Sequence, residues 1–394
     1  MIKKTIYCYL ALRACFEFSI SCLVATYVVY LIQRGGLNLL QVNLVNLAFF
    51  ITLMVFEIPT GAIADIFGRR LSYGLAGCAY GLSSLVYASS HTFWGFVLGE
   101  VFGAVGSTFA NGALQAWMID RIKHYGDARS CGHIFAKEQY CNGFARMAGV
   151  MLGAYFADID LVLPWLIGGI GILFIALTAM FVMKEEYAVP KKHSWCENAR
   201  KFRQMLGTVR KHARENNVVR FLLVIGFVNM LTVSAPNMQW QPFFLPHLPN
   251  KVYLGYIFVA NIVAMMFGAF LATKVLHQYF GERRALLVGQ LVVGLSVGVT
   301  TFFGFPLALT FFLLHEIGRG AWYPLRDMYL HNNVPSASRA SLASLASTFS
   351  HIGGMVGLLF SGFVAQYLSI NTAWVLSGGV MVGAVVWLWR NGKK

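Results

Sequence analysis

Arg13 and Glu17 stand four residues apart inside a long apolar run, a spacing that puts both on one helix face and lets them pair. A charge at the centre of a membrane helix costs roughly 2.5–3.5 kcal/mol on insertion scales, so each such residue needs a partner or a purpose. Glu17 can exchange protons or contact a cationic or polar substrate; as half of a satisfied ion pair it would only orient its helix. Glu100, in Leu98-Gly-Glu100-Val-Phe-Gly103-Ala-Val-Gly106, is a carboxylate that can itself carry a proton or be held as a hydrogen-bonded structural group. Arg146 lies well inside another apolar run, either paired with one of those carboxylates or anchoring a substrate. His315, Glu316 and Arg319 fall within about one helical turn. A histidine, a carboxylate and a guanidinium together can relay protons or grip a zwitterion. His351 is isolated and reads as structural.

Neutral groups suggest a second kind of contact. Asn229, Asn237, Gln239, Trp240 and Gln241 surround Pro236 and Pro242. Prolines interrupt the backbone ladder, and freed carbonyls beside amide side chains form a hydrogen-bonding wall. With Trp240, Phe243 and Phe244 that wall can receive an amphipathic organic molecule, or the rings form an interfacial belt; Trp322 and Tyr323 share the ambiguity. No Cys or His spacing fits a metal site and no Walker-type loop occurs, so no metal, cofactor or ATP is expected and nothing reads as an enzyme. The seven cysteines contain no CxxC pair; Cys8, Cys15 and Cys22 share one helix face as small packing groups, and no disulfide is expected.

Helices must position these groups. Of 394 residues, 57% are hydrophobic and 12% charged, too little polar surface to coat a soluble globule of this size. Apolar runs broken by turn residues predict about twelve spans, near 6–31, 42–64, 71–89, 93–117, 134–157, 162–183, 218–245, 252–273, 285–303, 307–330, 341–368 and 371–389. About 20 apolar residues suffice to cross a hydrocarbon core of about 30 Å. The first run follows Lys3-Lys4 as a signal peptide would, but it is long, contains Arg13 and Glu17, and lacks a small-x-small cleavage site, so it reads as a span. A net charge of +15 would suit nucleic acid if the cations shared one surface; here they sit in alternate connections. With the N-terminus in the cytoplasm, Lys3, Lys4, Arg69, Arg70, Arg121, Lys123, Arg129, Lys274, Arg283, Arg284, Arg339, Arg390, Lys393, Lys394 and the cations from Lys184 to Arg220 fall inside, while Arg34 and Lys251 fall outside. This asymmetry predicts both termini cytoplasmic and no nucleic-acid partner.

Between the second and third spans runs Gly61-Ala-Ile-Ala-Asp65-Ile-Phe-Gly68-Arg69-Arg70. Its glycines let two helix ends approach, Asp65 can meet orphan N–H groups or a cation, and the Arg pair marks a cytoplasmic surface. The pattern resembles the Gly-x-x-x-Asp-x-x-Gly-Arg-Arg/Lys loop between helices 2 and 3 of major facilitator superfamily transporters, with every fixed position present. Glu57-Ile-Pro-Thr-Gly61 and Ala116-Trp-Met-Ile-Asp120 are similar to segments of that family's proton-coupled exporters of drugs and small metabolites. The resemblance implies an all-α membrane protein of twelve transmembrane helices in two pseudo-symmetric six-helix bundles, which rock about a midplane site lined by spans 1, 4, 7 and 10. It also implies that Glu57, Gly61, Asp65, Gly68, Arg69, Arg70 and Asp120 gate the inner surface. Two features depart from the pattern: Glu100 stands where many proton-coupled members have arginine, and span 5 lacks the proline-containing glycine motif of the family's antiporters.

Residues 1–183 and 218–394 read as the two bundles, joined by a basic linker at 184–217 that is either a solvated connector with a short surface helix or a contact for anionic lipid or a regulator. The halves echo each other, as expected of a transporter built from repeats. Gly281-Glu-Arg283-Arg284 follows Gly68-Arg69-Arg70 without the upstream Gly and Asp, Arg146-Met-Ala-Gly149 matches Gly354-Met-Val-Gly357, and Arg129 matches Arg339. Gly149/Gly153 and Gly353/Gly357 suit close helix crossings in lipid. Together these features predict a monomeric secondary transporter of the cytoplasmic (inner) membrane that moves a small organic molecule by alternating access, with proton-coupled export as the leading mechanism. Glu17, Glu100, His315 and Glu316 are the expected proton carriers; Arg13, Arg146, Asn229, Asn237, Gln239, Trp240, Arg319 and Tyr323 are the expected substrate contacts. The alternative is an uncoupled facilitator, or an importer of an organic anion or metal chelate gripped by Arg13, Arg146 and Arg319. A membrane sensor that binds without transporting is the alternative of another class.

Overall fold

Hydrocarbon offers a peptide group no hydrogen bond, so a chain this apolar must satisfy its backbone within helices. The structure, a computed structural model, describes residues 2–125, 132–185, 217–334 and 336–391, with the backbone alone at 58, 65, 336–338, 340 and 341. Most of the basic linker and Arg129 lie outside the described residues. Among those described there is no strand.

Fourteen α-helices build twelve spans among the described residues. The first span is broken: α1 (Ile2–Val24) gives way at Ala25-Thr26 to α2 (Tyr27–Gln33). Next come α3 (Leu39–Phe67) and α4 (Arg69–Ser89), separated by Gly68 alone. The fourth span is also broken, α5 (Phe93–Ala110) yielding at Asn111-Gly112 to α6 (Ala113–His124); the Thr92 hydroxyl caps α5 by accepting from the Gly95 N–H. α7 (Gly132–Ile159) and α8 (Leu163–Val182) complete the first half. The second half runs α9 (Asn217–Phe244), α10 (Val252–Leu271) with a π turn at Ala272–Leu276, α11 (His277–Thr300), α12 (Phe305–Asn333), α13 (Ser336–Tyr367) and α14 (Ile370–Arg390).

Gly281 leaves helical geometry inside α11, with φ 69° and ψ 167°. Gly68 has φ 96° and ψ 160°. Both occupy a region that side chains exclude and glycine tolerates, and both precede a helix whose first turn carries arginines. The sequence echo between the halves thus has one backbone conformation behind it.

Eight stretches are long and apolar enough to cross a membrane by length and composition. α4, α7 and α12 lie outside them, because they carry polar groups that the bundles bury: Ser72, Ser83 and Ser84 on α4, Glu138 and Asn142 on α7, His315 and Glu316 on α12. Contacts divide the described chain into residues 2–37, 48–185 and 248–259 and residues 38–47, 217–247 and 260–391. In the first unit α1 packs on α7 and α8, and α4 packs on α5 and α8. In the second, α9 packs on α13 and α14, and α11 packs on α12 and α14. One packing scheme is used twice, and the molecule is a twelve-helix, two-bundle membrane protein.

The glycine steps explain how two of these pairs form. Without a hydrophobic drive between helices in lipid, association depends on close backbone approach. A Cβ on Gly149 or Gly153 of α7 would lie 2.3 Å from the carbonyl oxygen of Phe18 or Cys22 on α1. A Cβ on Gly353 or Gly357 of α13 would lie 2.2 Å from that of Phe227 or Leu231 on α9. Gly357→Val is therefore expected to lower stability in detergent by about 1–3 kcal/mol through overpacking. Gly379→Val on α14, where nothing lies within 4 Å, is expected to change it by less than about 0.5 kcal/mol. Equal shifts in thermal melting for the two variants would contradict a crossing set by the glycine.

Candidate functional site

The α1–α7 crossing sets the geometry of the first unit. Gly149 seats against Phe18, one residue after Glu17, and Arg146 lies just under a turn before Gly149. Arg146 is thereby brought onto Glu17, its Nε 2.8 Å from Oε2. One turn earlier on α1, Arg13 approaches the other oxygen of Glu17, with NH2 2.8 Å from Oε1. Arg13 Nε also lies 3.4 Å from Oε1 of Glu138 on α7. Glu138 Oε2 in turn accepts from the Tyr9 hydroxyl and, at 3.5 Å, from Gln115 Nε2 on α6. Two carboxylates buried to 6% and 2% exposure are thus balanced by two guanidinium groups in one continuous chain.

This chain borders open space. A cavity of about 300 Å³ is lined by Arg13, Glu17, Tyr80, Ser107, Asn111 and Arg146, among others. Asn111 and Gly112 are the break between α5 and α6, and Gly112 has φ 70°. Irregular backbone at membrane depth is tolerated where it lines a cavity, as it does here. The Arg146 side chain is 55% exposed, so it contacts Glu17 and borders the cavity together.

Glu100 occupies a different place in the same unit. Its Oε1 accepts from the hydroxyls of Tyr27 at 2.6 Å and Tyr87 at 2.5 Å. Tyr87 stacks on Trp165 at 4.0 Å and 3°, and the Tyr30 hydroxyl donates to the Tyr87 carbonyl. Among the described residues no cation pairs with Glu100. The break between α1 and α2 lies just before Tyr27, so a bent first span delivers one of the two donors.

In the second unit α12 carries the triplet. Glu316 Oε1 lies 2.8 Å from Arg319 NH1 and 3.3 Å from His315 Nδ1. His315 is fully buried, its ring stacked on Phe312. Phe312 also stacks with Trp240 and Trp374, so the triplet sits against an aromatic column. Gln239 is committed to the packing of that column: its Nε2 donates to the Ser361 carbonyl at 3.0 Å and its Oε1 accepts from Trp374 Nε1 at 3.1 Å. Asn229 is buried with Oδ1 lacking a hydrogen-bond partner in the protein, and Asn237 is half-buried. Tyr323 is 50% exposed beneath Arg326, which is paired with Asp327.

At the Gly68 turn, Glu185 of the segment after α8 holds the start of α4. Its Oε1 accepts from the backbone N–H groups of Arg69 at 2.6 Å and Arg70 at 3.0 Å. Trp117 Nε1 and Arg121 NH1 donate to the carbonyl of Lys184 next to it. Glu57, Gly61 and Asp120 are exposed, and the side chain of Asp65 lies outside the described residues.

Sequence reading gave no role to Glu138, Gln115, Tyr27, Tyr87 or Glu185. The one available signal was Glu138 itself, a carboxylate inside the fifth apolar run, masked by its neighbour Lys137.

Residues 10–279 and 222–394 match the family model of the Major Facilitator Superfamily. The chain is 22% identical to multidrug resistance protein 2 of Bacillus subtilis (strain 168), over 85% of its own length and 82% of that protein. It is 23% identical to tetracycline resistance protein, class B, of Escherichia coli, over 84% of its own length and 81% of that protein. Among solved structures it is similar to the nucleoside transporter NupG, with a TM-score of 0.81 at 13% identity and 99% of each chain covered, a likeness of fold.

Glu138→Ala strips both Arg13 and the Tyr9 hydroxyl of an acceptor. Breaking a buried pair from one side is expected to cost about 3 kcal/mol. Alanine at exposed Glu57 or Asp120 is expected to cost under about 1 kcal/mol. Thermal unfolding in detergent reads the difference; equal losses at the three positions would remove Glu138 from the network.

Proposed function

The chain belongs to the Major Facilitator Superfamily, a family of membrane transporters. On that premise we propose that it is a secondary active transporter that exports a small organic molecule by alternating access, driven by protons. The observation that carries this reading is the chain Arg146–Glu17–Arg13–Glu138 at the edge of a cavity. Glu17 holds two guanidinium groups at once. A proton added to Glu17 weakens its grip on Arg146, which lines the same cavity, and removes the negative charge that a cationic or polar substrate in the cavity would engage. Proton and substrate then compete through one carboxylate, which is the linkage coupled transport requires.

Glu100, with two tyrosine donors, is the second proposed proton carrier, and the His315–Glu316–Arg319 triplet the third. Asn237 and Tyr323 remain proposed substrate contacts on the strength of their partial exposure. Asn229, with its unsatisfied carbonyl oxygen, is another. Similarity to two resistance proteins supports export of drug-like molecules. The distribution of Lys and Arg supports placing both termini, the 184–217 linker and the Gly68 and Gly281 turns on the cytoplasmic side of the inner membrane. Residues 1–183 and 218–394 are the proposed moving bodies, acting as a monomer.

A second reading has one observation in its favour. The half-exposed guanidinium of Arg146 suits an anionic substrate, so an uncoupled carrier, or an importer of an organic anion or metal chelate, would use the same cavity.

A thermal-shift screen over drugs, organic acids and chelates identifies the substrate, because ligand binding stabilises the native state. In proteoliposomes with an imposed pH gradient, Glu17→Gln, Glu100→Gln, His315→Asn and Glu316→Gln are each expected to lower gradient-driven transport at least about tenfold, a loss of about 1.4 kcal/mol or more in driving linkage. Substrate addition is expected to change luminal pH in the parent protein. Unchanged transport in all four variants, or transport without pH change, would rule out proton coupling.

A further inference from the structure

Two adjoining cavities, of about 430 and 290 Å³, open in the second unit around the start of α9 and the Gly281 turn, and both are lined by Arg283 and Leu388. Arg220 lines the larger and Arg284 the smaller, so three guanidinium groups line two cavities that share the Arg283–Leu388 wall. The remaining walls are largely apolar. Phe221 and Trp387 close the larger cavity, Trp389 the smaller, and the two tryptophans are 56% and 42% exposed. Arg283 is fixed in place, donating to the Leu388 carbonyl at 3.1 Å with its guanidinium 4.9 Å over the Phe221 ring. Glu282, the carboxylate on these walls, is occupied by the side-chain amides of Asn332 and Asn333.

The repeat shows what such a turn holds. In the first unit the turn after Gly68 binds the Glu185 carboxylate through two backbone N–H groups. Gly281 repeats the Gly68 backbone state and is likewise followed by an arginine pair. Glu185 stands three residues beyond the end of α8. Asn391, the residue after α14, lines the larger cavity. Among the described residues, the first unit's turn holds a carboxylate of its own chain, and the second unit's turn borders cations and a cavity.

We propose that this cavity binds a phosphate-class anion from outside the chain, the headgroup of an anionic phospholipid of the inner leaflet. The guanidinium groups take the phosphate. The apolar wall and exposed tryptophans take the adjoining glycerol and acyl chain, as basic pockets between membrane helices do for anionic headgroups. The leaflet assignment rests on the orientation proposed above; the ligand chemistry does not.

The test uses the intact purified protein in detergent, titrated separately with phosphatidylglycerol, phosphatidylcholine and inorganic phosphate, and read by native mass spectrometry and thermal melting. Phosphatidylglycerol is expected to give a retained one-to-one adduct and a higher melting temperature, and phosphatidylcholine neither. The double variant Arg220→Gln/Arg284→Gln is expected to retain phosphatidylglycerol at least fivefold less. Arg283 is left intact because it also ties α11 to α14. If the double variant melts early without lipid, Arg220→Lys/Arg284→Lys is measured beside it and is expected to restore the adduct. Equal retention of the two lipids, or an adduct unchanged in the Gln variant, overturns the site. Inorganic phosphate matching the phosphatidylglycerol effect, with loss in the Gln variant, supports the anion site and overturns its assignment to lipid. Transport is not read here. Lost lipid discrimination with proton-driven transport intact refutes this site alone, and the reverse refutes the transport mechanism alone.

Discussion

A charge inside a helix that crosses lipid must find a counter-charge or hydrogen-bond donors within its bundle. The rest of the first unit depends on how this chain meets that demand. Gly149 and Gly153 bring the α7 backbone against the carbonyls of α1, closer than any side chain would allow. That approach is what lets Arg146 reach Glu17 and leaves Arg13 poised between Glu17 and Glu138. The sum is neutral, so no single member bears the full penalty of burial. Without the glycine step Arg13 and Glu17 would keep only each other, and Arg146 and Glu138 would lose their partners on α1.

The three buried acidic sites meet the same demand in different ways, and the differences suggest different work. Glu17 is held by two cations beside open space, which makes its bonds exchangeable. Glu100 has tyrosine hydroxyls in place of cations, behind a stacked Tyr87–Trp165 wall. Glu316 takes an intermediate form, with one guanidinium and one imidazole wedged against an aromatic column. Backbone breaks attend two of these sites. Thr26 precedes the donor Tyr27, and Gly112 opens the cavity beside Glu17. Breaks at such positions are where a helix can change direction while neighbouring helices or a cavity satisfy the freed backbone groups.

What the sequence made legible was local. The spans follow from composition and length, the Arg13–Glu17 pair from one helical turn, and the glycine steps from their spacing of four. Gly68 and Gly281 declared themselves because each precedes a basic turn. The partners that complete the sites were legible only in part, since they join helices far apart in the chain: Arg146 reads as a partner for a carboxylate without saying which, and Tyr9 on Glu138 gives no signal, each pair lying 129 positions apart. A tyrosine reads as packing until its hydroxyl is seen on a carboxylate, as with Tyr27 and Tyr87. Gln239 shows the converse, an amide that looks free in sequence and is engaged at both ends in the fold. Glu185 reads as part of a polar connector, yet it caps α4 through main-chain donors that carry no sequence signature.

The central claim is that Glu17 and Arg146 act as one unit, and a double-mutant cycle on stability tests it most directly. Glu17→Gln, Arg146→Gln and the double variant are unfolded side by side in the same detergent. Because Arg146 is half-exposed and its pairing partly screened, the expected coupling is about 1 kcal/mol, with the double variant less damaged than the sum of the singles. Strict additivity, with a coupling below about 0.3 kcal/mol, would contradict the account.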